Sequence, residues 1–334
     1  MVREGVFLFL LFGWLGLLLA PVAASEEPVY LIILGEPETF AETFAPVPPL
    51  NQRQVGFATM LYTLQASPEQ LLQQVNAALD KAEQTGYPVM FHCDDWNFPP
   101  KWDDPELVEW TDFPALGEQS GPLAKRRWIN WGSWIVANAP PNFESPKYKE
   151  WLASRLLEGV ARPIAERLRK WRAEGKEYLF AGLVLGWETG FYNVLAYDPG
   201  NPPTAGEEVF QADEAVWTGY AALSHRGYDA GKLKQLATEQ GRSEKEVFYD
   251  LMMEILQDHA EFMALTCRRV GVPGNRIYTH FAAARTFLDA ASEPEVTARS
   301  VVGKESPLLT ILKANSQTLA EWQLHGIMTP LWVA

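Results

Sequence analysis

Between Leu179 and Gly190 the chain reads Leu-Phe-Ala-Gly-Leu-Val-Leu-Gly-Trp-Glu-Thr-Gly, an apolar run of strand length that ends at a Trp-Glu pair. With a period of two, Gly182, Val184, Gly186 and Glu188 share one face and Leu183, Leu185 and Trp187 the other. Small residues leading to a carboxylate suit the interior of a parallel barrel at its mouth, and the bulky set suits packing against surrounding helices. The plainer alternative is an ordinary buried strand with a loop Glu at its end.

Strand and helix signals alternate on either side of this run. Val55 to Leu64 reads as a strand. Ser67-Pro68-Glu69-Gln70 then opens a helix, with Ser as cap, Pro at the first helical position and Gln70 completing a capping box. Leu71, Leu72, Val75, Ala78, Leu79 and Ala82 form its apolar stripe, and Gly86 ends it. Tyr87 to Asp94 is a second strand, and Arg127 to Val136, interrupted by Gly132, is expected as a third. Ser145-Pro146 begins a helix running towards Gly175, which Pro163 should kink or split. Ser243 to Glu246 is another capping box, opening a helix that runs to about Val270. Arg276 to Ala284 is a further strand, and Gly326 to Val333 is a candidate for one more.

This alternation predicts an α/β fold with a mostly parallel sheet. No G-x-G-x-x-G or P-loop fingerprint appears, so a (β/α)8 TIM-type barrel is favoured over an open dinucleotide-binding sheet. Five or six strands are readable. Either the remaining C-terminal strands are hidden or the chain is a fragment of a longer protein. The expected organisation is a signal peptide over 1–24 and one barrel domain over 25–334, with loop insertions near 99–126 and 190–241.

The signal peptide is read from Arg3, the apolar stretch Val6–Ala20 and the small residues Val22-Ala23-Ala24 before Ser25. An uncleaved anchor is the rival, but no later segment is long and apolar enough to span a membrane. The expected location is therefore secreted or periplasmic, with no membrane association after cleavage. A net charge of −14 argues against nucleic acid, whose phosphates need clustered Lys and Arg. Two cysteines, Cys93 and Cys267, are too few for a disulfide scaffold, and whether they pair is not readable.

Of thirteen Trp residues, Trp96, Trp102, Trp110, Trp128, Trp131 and Trp134 crowd into one stretch. Flat indole faces with an N–H handle suit sugar rings, whereas an aromatic minicore under a long loop is the structural alternative. In the ligand reading, Trp102 and Trp110 form a lid or subsite.

Three pieces give the chain a resemblance. They are Phe91-His-Cys-Asp-Asp-Trp-Asn-Phe98, Trp131-Gly-Ser-Trp134 with Ala139-Pro-Pro-Asn142, and Gly186-Trp-Glu-Thr189. Together they resemble a bacterial glycoside hydrolase family of the (β/α)8 superfamily, in which the acid/base Glu ends the fourth strand. Many members have Asn before that Glu, where this chain has Trp187. The resemblance implies retaining cleavage of an O-glycosidic bond of a carbohydrate substrate, with Glu188 as general acid/base and no cofactor. The chemistry needs a proton donor and a second carboxylate across the sugar ring. A Glu flanked by Trp187, Phe191 and Tyr192 is expected to be partly desolvated, which raises its pKa towards a general acid's. No nucleophile is identified: Asp289, Glu293, Glu295, Glu305 and Glu321 are late carboxylates, and none follows a convincing strand.

Trp96, Trp131 and Trp187 are expected to line the sugar site, helped by Asp94, Asp95 and His280. Asx-turn capping is the alternative for the Asp pair, and at most one of the two should face the barrel axis. Two rival functions remain. A metal-dependent hydrolase would draw on His92, Asp94, Glu188 and His280. A non-catalytic carbohydrate-binding barrel would keep the aromatic cleft without a complete carboxylate pair.

Overall fold

The computed structural model describes residues 29–34, 53–113, 125–130, 133–189, 194–196, 215–216 and 218–281. In chain order the elements begin with β1 (Val29–Leu34), β2 (Arg53–Tyr62), α1 (Pro68–Thr85) and β3 (Val89–Asp94). A hairpin follows, β4 (Lys125–Asn130) and β5 (Ser133–Asn138), and then α2 (Pro146–Ser154), a π-helical segment (Arg155–Ala161) and α3 (Arg162–Ala173). Next come β6 (Phe180–Thr189), β7 (Val194–Ala196), β8 (Ala215–Val216) and α4 (Tyr220–His225). The described chain closes with α5 (Ala230–Gln240), α6 (Glu244–Arg268) and β9 (Ile277–Phe281).

Two sheets result. Strands β1, β2, β3, β6 and β9 pair in that order, every pair parallel, and curl into part of a barrel. Parallel neighbours need long crossovers, and helices supply them between β2 and β3, between β3 and β6 and between β6 and β9. Strands β5, β4, β7 and β8 form a separate antiparallel sheet. The expected strand over Arg127–Val136 is therefore corrected: these residues fold back on themselves, with Arg127 opposite Val136 and Ile129 opposite Trp134. The reversal falls between Asn130 and Ser133. Strand β1 is an addition that the sequence reading did not include.

The helices start where their caps place them. Ser67 Oγ accepts from the Gln70 amide at 3.2 Å while Gln70 Oε1 accepts from the Ser67 amide at 2.8 Å, closing the capping box. Gly86, in the left-handed region at φ 76°, ends α1. Ser243 and Glu246 make the same reciprocal pair at the start of α6. Pro163 was expected to kink or split its helix, and the helix is divided beside it: the chain widens just before Pro163 into the π segment, whose end bonds the Arg162 amide to the Leu157 carbonyl. Within that segment Gly159 lets α1 come close: a Cβ there would lie 2.6 Å from Leu71 Cβ.

The parallel sheet has two distinct faces. Phe57, Leu61, Phe91, Leu183 and Leu185 pack with the helices in the large core that also takes Leu71, Leu152, Ile164, Trp171 and Ile255. Met90, Ala181 and Val184 form a small cluster on the other face with Tyr30, Ile32 and Tyr278. Leu183 and Leu185 thus lie against the helices and Val184 opposite, as alternation requires. Cys93 and Cys267 are both buried and neither forms a disulfide.

Candidate functional site

Parallel strands present all their C-terminal ends at one edge, and the register shows which residues arrive there. Tyr62 pairs with Asp94, Cys93 with Leu185, Trp187 with His280 and Thr189 with Phe281. The backbones of Asp94, Trp187, Glu188, Thr189 and His280 therefore meet along one rim, with Asp95 following directly. The side chains of Trp187, Glu188 and His280, and the whole of Trp131, lie outside the described residues.

The two Asp side chains separate at the end of β3. Asp94 Oδ1 accepts from the backbone amides of Trp96 (3.0 Å) and Asn97 (2.9 Å), and its Oδ2 accepts from Asn97 Nδ2 at 3.1 Å. This is the Asx-turn arrangement, which shapes the loop leaving the strand. Burial pushes the Asp94 carboxyl above its usual range, against the pull of these donors. The Asp94 carbonyl also accepts from the Thr63 hydroxyl at 2.7 Å, tying the loop after β2 to β3.

Asp95 turns instead towards the helices. Its Oδ1 accepts from the Thr189 hydroxyl, and its Oδ2 accepts from His259 Nε2 at 2.6 Å. Asp95, Thr189 and His259 are all buried, so the network joins β3, β6 and α6 without solvent. The His259 ring stacks on Phe143, 4.1 Å between centroids and 14° between planes.

His259 was not among the residues singled out from the sequence. A signal was present: it follows Ile255 by four residues and precedes Met263 by four, on the buried stripe of α6. A histidine on such a stripe requires a polar partner.

Trp96 is fully enclosed, with its ring centroid 6.0 Å from that of Phe143. It was expected to present a face to a sugar; in this structure its ring is packed into the core. Trp102 likewise packs edge-on against Trp151 and Tyr148, at 5.7 and 6.2 Å. Trp110 stays partly exposed, anchored through its indole N–H to the Pro105 carbonyl. It lines a shallow groove of about 260 Å³ with Glu106, Asn142, Ser224 and His225.

A third buried carboxylate was missed altogether. Glu109 accepts from the backbone amides of Gly219 (3.1 Å), Ala221 (3.1 Å) and Ala222 (3.2 Å) at the start of α4. Burial pushes its pKa up to about 8, although these amides favour the charged form. Glu109 thereby fastens the loop after β3 to the segment leading into α4. Nothing in its sequence surroundings, a polar loop, marks it out.

Among the described residues, no group of three or more His, Cys, Asp or Glu is arranged to hold a metal ion. No described helix is long and apolar enough to cross a membrane, and the Val6–Ala20 segment lies outside the described residues. Neither a protein-family model nor a curated protein sequence matches the chain.

Proposed function

We propose that the chain is an exported glycoside hydrolase on a (β/α)8-type barrel, with Glu188 as the general acid/base. The observation that carries this reading is the position of Glu188. It is the next-to-last residue of β6, the fourth strand of the parallel sheet, on the rim that also receives Asp94, Asp95 and His280. Parallel barrels carry their chemistry on that rim. In the proposed reaction Glu188 protonates the leaving glycosidic oxygen, and a second carboxylate across the ring completes cleavage. Trp131, Trp187 and His280 are the proposed sugar contacts.

Hydrolysis of a panel of aryl glycosides and oligosaccharides by the mature protein, compared with Glu188→Gln, tests the reading. Turnover is expected in the parent and lost in the variant while sugar binding persists. Turnover that is indifferent to the change refutes the assignment.

One observation favours a second reading, a carbohydrate-binding barrel without catalysis. Asp94 and Asp95, the carboxylates at the end of β3 on the same rim, are both committed to internal hydrogen bonds. Sugar binding by a parent protein that turns nothing over would select this second reading.

A further inference from the structure

The tip of β6 is held by side chains where its backbone ladder is weakest. Pairing between β6 and β9 is regular from Leu183 to Leu185 and then slips twice, between Leu185 and Trp187 and between Trp187 and Thr189. Gly186, inside the first slip, has φ +75°. Such irregularities re-aim the residues after them, and each removes a regular ladder contact. Thr189 closes the strand directly after Glu188, and its hydroxyl is committed to Asp95.

Asp95 is in turn held by His259 Nε2 at 2.6 Å. The imidazole has little freedom, because Phe143, Tyr148 and Phe262 stand 4.1, 6.0 and 6.5 Å away between ring centroids. Its Nδ1 has no hydrogen-bond partner among the described residues, so the bond to Asp95 is the ring's one polar tie. The chain of contacts runs from a long packed helix, through a carboxylate, to the last residue of an irregular strand end.

We propose that Asp95 and His259 are positioning residues that act through the Thr189 hydroxyl to fix the tip of β6, and with it the backbone of Glu188. The proposal rests on the reading of Glu188 as acid/base, and it goes further by assigning a role to residues that touch no substrate. A latch of this kind should affect turnover more than substrate affinity, because it acts on the geometry of the reacting group.

The test uses Thr189→Val, which keeps the shape and removes the hydroxyl, Thr189→Ser, which restores it, and Asp95→Asn. Amide exchange over residues 186–189 is expected to rise in Thr189→Val and Asp95→Asn and to stay at the parent level in Thr189→Ser. On an aryl glycoside, kcat of Thr189→Val is expected to fall about tenfold with KM changed less than about twofold, and Thr189→Ser to recover it. Unchanged exchange in Thr189→Val overturns the latch, and so does raised exchange with unchanged kcat. Glu188→Gln, run alongside, separates the two ideas. If it leaves turnover intact while Thr189→Val still loosens the tip, the role of Glu188 falls and the latch stands. If the parent turns nothing over, the exchange data alone decide the latch.

Discussion

Asp95 and Glu109 are both fully buried carboxylates, and the protein holds them in opposite ways. Asp95 sits directly after β3 and is held by two side chains, Thr189 and His259, from two other elements. Glu109 sits in a loop and is held by backbone amides at the start of one short helix. The first arrangement depends on the identity of three residues far apart in sequence. The second depends on the path of the chain, since any residue at 219, 221 or 222 except proline supplies an amide. Side-chain tethering specifies partners, and amide tethering specifies a conformation.

Removing each carboxylate should separate the two regions. Asp95→Ala is expected to have the largest effect, about 3–5 kcal/mol of global stability in urea unfolding, because two buried donors lose their common acceptor. A loss below about 1 kcal/mol would mean that water or a neighbour replaces the carboxylate. Glu109→Ala should cost about 1–3 kcal/mol and act locally, through the freed amides of α4. Faster amide exchange confined to residues 219–222 would show this; a change spread over the parallel sheet would contradict it.

A further effect, confined to one titrating group, is a pH dependence in the loop region. Glu109 titrates near 8 in the folded chain against an ordinary value of 4.5, so folding favours its protonated form. Its contribution is fully present below about pH 4.5 and is lost as pH rises towards about 8. Glu109→Gln removes that titration and should flatten the decline in stability across this window. Asp94, also raised by burial, changes stability in the same direction and remains in both proteins, so the difference between them isolates Glu109. Parallel pH profiles for parent and variant would end the argument.

Local signals were legible and long-range ones were not. Both capping boxes, at Ser67 and Ser243, were readable because a cap is written within four residues. Arg127–Val136 was misread because a strand's propensity does not name its partner, and two short strands paired from Asn130 to Ser133 read much like one continuous strand. Strand β1 went unread as well. The two errors cancel in one respect: with the hairpin counted and β1 missed, the Glu188 strand is still fourth, now for a different reason. The Asx turn at Asp94 was foreseen as an alternative for adjacent Asp residues. The Asp95–His259 bond spans 164 positions, and only the fold brings its two ends together.

The π-helical segment has a consequence for phase. Residues before it, Tyr148 and Leu152, reach the same core as Ile164, Leu168 and Trp171 after it. In an uninterrupted α-helix each residue advances the face by about 100°. A wider turn absorbs the surplus, so the seven residues Arg155–Ala161 act as a phase adjuster between two faces that the sequence alone would leave out of step. Deleting one residue there would rotate one half of the helix against the other by about 100° and carry Tyr148 away from the His259 ring while Trp171 stayed buried.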